Sequence, residues 1–327
     1  MKNDAFRFLT IASKNDFDTE ALATFYRQYE ANPVYRSYCD LLNISPSEIN
    51  TSTKIPFLPI QFFKSHTVKC FSEAPAIVFS SSGTTTSINA QHPILNKAFY
   101  NQSFQKSFKI QYGDPKDWAI LALLPSYLER QGSSLIYMMD ALIQQSKHPA
   151  SGFYLDEFDQ LKNQLERLES QQHPTLLLGV SFALLDFAEQ FPLQLKHTVV
   201  METGGMKGRR KEMIREDLHA TLKKAFGLEV VHSEYGMTEL LSQAYSKGNG
   251  RFYPPSWMKV TACEINDPFA LIDGNKIGRL NIIDLANQES CAFIATDDLG
   301  RVYPDGSFEI MGRLDQSDIR GCNLLVY

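Results

Sequence analysis

The chain has no apolar stretch that approaches the ~18 uncharged residues a membrane-spanning helix needs, so a helical membrane protein is not expected. Its start, Met1-Lys2-Asn3-Asp4, leads on to Asp16 and Asp18 without an apolar run long enough for a signal peptide. Cysteine is sparse. Cys39, Cys70, Cys263, Cys291 and Cys322 make five, an odd number, and no two stand in CxxC spacing. That argues against a disulfide framework and a zinc knuckle, and it points to a reduced, cytoplasmic setting. The seven histidines fall in no metal-ligand spacing, and no GK[ST] of a Walker loop, internal repeat or low-complexity tract is present. With a net charge of −5 and no long basic run, nucleic acid is not the expected partner.

What is there is ordinary globular composition: 327 residues, 43% hydrophobic and 21% charged. This suffices for one large α/β domain with a smaller subdomain. Residues 16–29 read as a helix capped by Asp16 or Asp18, with Leu22, Phe25, Tyr26 and Tyr29 on one face and Asn32-Pro33 as its stop. Residues 55–63 are apolar, but Pro56 and Pro59 make them a packed connector rather than a central strand. Strands are expected over 76–79, 118–124, 175–178, 198–201 and 228–232. Helices are expected over 96–108, 132–145, 155–168, 182–190 and 211–226, the last with Ile214, Leu218, Leu222 and Ala225 on one face and Gly227 as its C-cap. Alternation of this size means parallel βαβ units. Ligands bind beyond the carboxyl ends of such strands, where Gly179-Val180-Ser181, Glu202-Thr203-Gly204-Gly205 and Ser233-Glu234-Tyr235-Gly236 fall. From about Asn249 onward, short strands over 280–285, 292–295 and 308–311 alternate with Asp-Gly turns, which suggests an antiparallel subdomain.

Four segments carry chemistry. Ser80-Ser81-Ser82-Gly83-Thr84-Thr85-Thr86 offers six hydroxyls and a glycine that permits close approach, enough to wrap a polyphosphate; alone it reads equally well as a polar surface loop. In Tyr235-Gly236-Met237-Thr238-Glu239, Thr238 can bond a phosphate oxygen and Glu239 can hold Mg²⁺, or the pair can simply open a helix. In Thr296-Asp297-Asp298, the carboxylate of Asp298 can accept from a ribose diol, or sit in a turn after a strand. Arg313 of Gly312-Arg313-Leu314-Asp315 can bond ribose or phosphate, or pair with Asp315. Near the end, Cys322 follows Arg320-Gly321. Neighbouring cations would favour its thiolate; otherwise it is an inert tail residue.

In this order the segments resemble the adenylate-forming superfamily of acyl-CoA synthetases and luciferases, with Tyr235–Glu239 close to its YGxTE motif. Within it, the chain resembles the acyl-protein synthetases of the bacterial fatty-acid reductase complex, through Leu124-Pro125-Ser126-Tyr127-Leu128-Glu129-Arg130, Gly132-Ser133-Ser134-Leu135 and Arg320-Gly321-Cys322. The resemblance implies a large adenylate-forming α/β domain with a parallel sheet, a small antiparallel C-terminal subdomain and no mobile lid. The expected division is 1–248 for the ATP- and acyl-binding core and 249–327 for the β-rich part with the cysteine-bearing tail. The implied reaction forms a fatty acyl-adenylate from ATP and Mg²⁺. The acyl group then passes to Cys322 as a thioester, for delivery to an acyl reductase or an acyl carrier protein. Implied roles are phosphate binding for Ser82, Gly83, Thr84, Thr85 and Thr238, and metal binding for Glu239. Gly204, Gly205, Tyr235 and Gly236 would lie around the nucleotide, and Asp298 and Arg313 on the ribose. Tyr127 and the turn at 179–182 are candidates for the acyl pocket. Two departures from the family pattern stand out. Thr86 replaces a second loop glycine with no Pro-Lys after it, and Asp297 replaces the glycine of TGD, adding a charge beside the ribose. Two other functions fit the same residues. One is an acyl or aryl ligase serving coenzyme A or a carrier, in which Cys322→Ser stays active. The other is a non-catalytic partner of a reductase, insensitive to Glu239→Ala.

Overall fold

A computed structural model describes residues 6–81, 89–125, 132–204, 210, 213–272 and 274–314. The chain divides into two compact units, residues 75–252 and residues 1–74 with 253–327.

In the unit of residues 75–252, parallel strands run in the order Gly152–Tyr154, Ala119–Leu123, Thr175–Val180, Thr198–Thr203 and His232–Tyr235, and Ala244–Ser246 closes one edge antiparallel. Every residue of Ala119–Leu123 and Thr175–Val180 is buried, as strands covered on both faces require. Leu123, Gly179, Glu202 and Ser233 stand in one register row, so four carboxyl ends finish side by side. The connecting helices are Ser134–Ser146, Phe158–Ser170, Ser181–Gln190 and Arg215–Phe226. Ser133 caps the first of these by accepting from the Ile136 N–H at 3.3 Å.

Local rules explain where this unit departs from expectation. Ile214 lies just before the Arg215–Phe226 helix and is exposed; Leu218, Leu222 and Phe226 form the buried stripe. Gly227 adopts φ +65° as the C-cap, and the Leu228 N–H bonds back to the Lys223 carbonyl at 3.0 Å. That closure uses the residues expected to start the next strand, which therefore begins at His232 and runs into Tyr235. The strands not foreseen include Gly152–Tyr154, Ala244–Ser246 and Gln91–Ile94, the last pairing antiparallel with Ile77–Ser80.

The other unit is an antiparallel sheet ordered Phe308–Arg313, Phe293–Val302, Gly278–Asp284, Met258–Cys263 and Leu271–Ile272. Leu58–Pro59 joins it parallel to Phe293–Val302, with Leu58 opposite Ile294. The proline-bearing segment is thus mostly a connector whose pairing is limited to two residues. Asn32 ends the helix Lys14–Ala31 and caps the next, Pro33–Leu41, by accepting from the N–H groups of Val34 and Tyr35 at 3.1 Å each. The N-cap of Lys14–Ala31 is Ser13, not Asp16 or Asp18: its hydroxyl accepts from the Asp16 N–H. The buried face is also rotated from the expected one. It comprises Phe17, Glu20, Ala21, Thr24, Phe25 and Gln28, while Tyr26 is exposed. Gln28 explains the rotation, because its amide donates to the Asn287 carbonyl (2.7 Å) and accepts from the Ala292 N–H (2.8 Å). A polar side chain whose amide is matched at both ends is accepted into the core. Residues 6–74 pack with the C-terminal strands through pairings distant in sequence.

Candidate active site

The carboxyl ends of the parallel strands carry a polar layer. Ser181 opens its helix with its hydroxyl 2.9 Å from the Gly204 carbonyl, to which it donates, and 3.4 Å from a Glu202 oxygen. Glu202 is buried, with Arg215 Nε at 3.4 Å and His219 Nε2 at 3.5 Å. The Arg215 guanidinium also lies over the Phe252 ring at 5.0 Å, and that ring meets Tyr235 at 5.9 Å. One buried carboxylate thus orders, through a cation and an aromatic ring, the first residue of the Tyr235–Glu239 segment. Gly204 has φ +69°, a conformation suited to glycine at the turn after Thr203.

That segment turns directly off its strand. The Leu240 N–H bonds the Met237 carbonyl at 3.1 Å, so Thr238 and Glu239 are the central pair of a turn, and the chain returns as Ala244–Ser246 without entering a helix. Nδ1–H of buried His92 donates to the Thr238 carbonyl at 2.8 Å, tying the turn to the strand that follows the Ser/Thr/Gly loop. Glu239 is buried and Thr238 half-buried. The loop residues Ser82, Gly83, Thr84, Thr85 and Thr86 lie outside the described residues, as do Tyr127, Gly205, Asp315 and Cys322. The stem of the loop is described. Ser81 exchanges bonds with Ala90: its N–H donates to the Ala90 carbonyl at 3.0 Å, and its hydroxyl accepts from the Ala90 N–H at 2.9 Å. Gly132, at φ +88°, comes so close that a Cβ would stand 2.9 Å from the Val78 carbonyl oxygen.

Glu234 was not foreseen as a functional group. It is buried opposite Thr203, whose hydroxyl donates to it at 2.5 Å. Burial raises its pKa from the ordinary 4.5 to about 7; the Thr203 hydrogen bond opposes the rise and the charge of Glu202 adds to it. Tyr100, Tyr112 and Tyr245, whose own pKa values burial raises first, also feel its charge. Below pH 4.5 the group is protonated whether folded or unfolded. Above about 7 the folded state must hold a buried carboxylate, so its contribution to stability falls as pH rises across that window. His232, lowered to about 4 chiefly by desolvation, contributes the opposite slope between about 4 and 6.5. Glu234→Gln should therefore gain on wild type, by on the order of 3 kcal/mol, between pH 4.5 and 7.5 in denaturant titrations. A difference that does not change with pH would contradict this assignment.

In the other unit, the Thr296-Asp297-Asp298 motif is a bulge inside a strand rather than a turn after one. Ala295 pairs with Asn281 and Leu299 with Arg279, so three residues face Leu280 alone. The Thr296 hydroxyl donates to the Leu280 carbonyl at 2.7 Å and accepts from the Asp298 N–H at 3.1 Å. Asp298 is opposite Arg313 in the ladder to Phe308–Arg313, with Arg313 Nε 4.0 Å from its carboxylate, so Asp298 is a partner of Arg313 among the described residues. Asp297 does not stand as an uncompensated charge, as its place in the motif suggested. Gln61 Nε2 donates to both of its oxygens, at 2.6 and 2.8 Å, and Arg279 Nη2 lies at 3.3 Å.

The four described cysteines are free. Burial pushes the thiols of Cys39 and Cys70 up to about 12 and raises those of Cys263 and Cys291. A cavity of 380 Å³ lined by Glu166, Glu169, Pro192, Leu193, Gln194 and Leu195 carries none of the motifs. Its Glu169 is already committed to the N–H groups of Lys196 and His197 and to the Thr198 hydroxyl. No described helix is long and apolar enough to cross a membrane.

A family model described as acyl-protein synthetase, LuxE, matches residues 4–327. The chain belongs to the acyl-protein synthetase family. That places it among the adenylate-forming ligases, as the motif order led us to expect. A relative within this family's range is the long-chain-fatty-acid–luciferin-component ligase of Aliivibrio fischeri, 24% identical over 328 residues, covering 92% of this chain and 85% of that protein. Among solved structures, ATP-bound MatB from Rhodopseudomonas palustris matches with a TM-score of 0.54 at 16% identity, over 74% of this chain and 49% of its own. A 2-hydroxyisobutyryl-CoA ligase in complex with 2-HIB-AMP and CoA matches with a TM-score of 0.66 at 13% identity, over 94% and 70%. The family member described here thus spans about half the length of MatB. At these identities the likeness is one of fold, and the fold is the expected α/β architecture of adenylate-forming ligases.

Proposed function

We propose that the chain activates a fatty acid with ATP and then carries the acyl group on Cys322. The observation that supports this most is the turn at 237–240, at the carboxyl end of a parallel strand, with Thr238 and Glu239 as its central pair. The fatty carboxylate attacks the α-phosphorus, forming the mixed anhydride as pyrophosphate leaves. The Cys322 thiolate then attacks the acyl carbon, forming a thioester as AMP leaves. A tethered thiol does this at high effective concentration.

In this reading Ser82, Gly83, Thr84 and Thr85 hold phosphate, Thr238 holds the α-phosphate, Gly204 and Gly205 lie along the adenine, and Tyr235 and Gly236 contribute to the nucleotide site. Asp298 and Arg313 hold the ribose. Glu239 fits Mg²⁺ as donor chemistry: it supplies a carboxylate oxygen at the turn, and this ion commonly takes one or two carboxylates plus substrate phosphates. When bound, Mg²⁺ would offset phosphate charge. The assignment of Cys322 draws support from the other four cysteines, three buried and Cys70 half-buried, whose raised thiol pKa values make them poor nucleophiles. A partner acyl reductase would receive the thioester, and a reduced, cytoplasmic setting would keep Cys322 free. ATP is the nucleotide in the MatB structure, and a long-chain fatty acid is named in the Aliivibrio fischeri ligase. ATP–pyrophosphate exchange that depends on added saturated fatty acid is the test. Exchange with a fatty acid supports the reading, and its absence across a panel of chain lengths would leave a non-catalytic partner.

A further inference from the structure

We infer that Asp297, held by Gln61 and Arg279, is a positioning residue that aims Asp298 at the nucleotide ribose. The inference rests on the reading of Asp298 as the ribose acid. It starts from the bulge. A bulged residue lacks ladder partners, and bulges recur where a side chain must be re-aimed. Here three residues oppose one, so the segment that carries Asp298 has little pairing to Gly278–Asp284. On its other side, the ladder to Phe308–Arg313 reaches its end at the Asp298–Arg313 pair and shifts register between Leu299 and Gly300. Backbone pairing alone therefore leaves Asp298 at a weak point.

Side chains fill that role. Arg279 Nε donates to the Thr296 carbonyl at 2.5 Å while its Nη2 reaches Asp297. The amide of Gln61 spans both Asp297 oxygens, and the neighbouring Ile60 N–H bonds the Ala295 carbonyl at 2.9 Å. The Leu314 N–H bonds the Asp297 carbonyl at 2.7 Å, which fixes the chain just after Arg313. Asp297 is thus tied from three directions, and its two backbone neighbours share the constraint. A charged group with hydrogen bonds of this kind holds a conformation more firmly than a neutral one. A glycine here would bring neither the bonds nor the restriction of backbone freedom.

The test compares ATP with 3′-deoxy-ATP in fatty-acid-dependent pyrophosphate exchange, on wild type, Asp298→Asn, Asp297→Asn and Gln61→Ala. Gln61 is remote in sequence from every motif, and its alanine variant leaves the strand itself untouched. Loss of the clamp should raise the KM for ATP about tenfold, as expected for one hydrogen bond to a charged group, with kcat little changed. The preference for ATP over 3′-deoxy-ATP should shrink by a similar factor in both clamp variants. If Asp298→Asn erases the preference while both clamp variants keep it, the positioning role is overturned and the ribose reading stands. If Asp298→Asn leaves the preference intact, the ribose reading fails and the inference with it. A merely structural role would lower kcat and thermal stability together and leave the nucleotide preference unmoved, which also overturns the inference.

Discussion

Glu239→Gln is expected to lower fatty-acid-dependent pyrophosphate exchange by about two to three orders of magnitude, the scale seen when one electrostatic group of a polar transition state is removed. Glutamine keeps the volume of a side chain that is buried, so the fold should survive. What is lost is the carboxylate proposed to hold Mg²⁺, which glutamine replaces with a neutral, weaker oxygen donor. The KM for MgATP should rise along with the loss in rate, and higher magnesium should restore part of it. Equal exchange in Glu239→Gln and wild type would remove Glu239 from the chemistry and with it the main support for the proposed activation step.

Gly236→Ala should be nearly as damaging, for a steric reason. An added Cβ would stand 2.6 Å from a Glu234 carboxylate oxygen and 3.5 Å from Gln243 Cγ. A surface carboxylate would swing aside. This one is buried and hydrogen-bonded to Thr203, so relief has to come from the backbone of the turn. Overpacking of this kind costs about 1–3 kcal/mol, and a displacement of Thr238 and Glu239 costs activity as well. Shortening the obstructing side chain should relieve it. Gly236→Ala combined with Glu234→Asp is expected to recover exchange relative to Gly236→Ala alone. If the double variant is no better than the single one, the clash does not explain the glycine.

The motifs were more legible in the sequence than the structure around them. Tyr235–Glu239 and Thr296–Asp298 are contiguous, so their residue types could be read before any fold was known. The parallel strands were legible too, because burial on both faces leaves continuous apolar runs such as residues 118–124. What the sequence did not reveal depends on partners distant along the chain. Gln61 meets Asp297 across 236 residues, and nothing local marks either as the other's partner. Gln28 looks like a solvent-facing residue of an amphipathic helix until its two backbone partners, Asn287 and Ala292, are in place. Glu234 sits beside a recognisable motif, yet its importance comes from burial against Thr203, which spacing alone does not encode. The bulge at Thr296–Asp298 was missed for the same reason, since register belongs to a pair of strands and not to one.

The central claim is that acyl-adenylate forms and its acyl group moves to Cys322. It is tested most directly by incubating wild type and Cys322→Ser with radioactive fatty acid and MgATP, then separating each on a denaturing gel with and without neutral hydroxylamine. The account predicts a hydroxylamine-labile label on wild type and none on Cys322→Ser, with pyrophosphate exchange retained in both. A labile label of equal strength on Cys322→Ser, or no label on either protein while exchange continues, would contradict it. The second outcome would point instead to a ligase that delivers its acyl group to coenzyme A or a carrier.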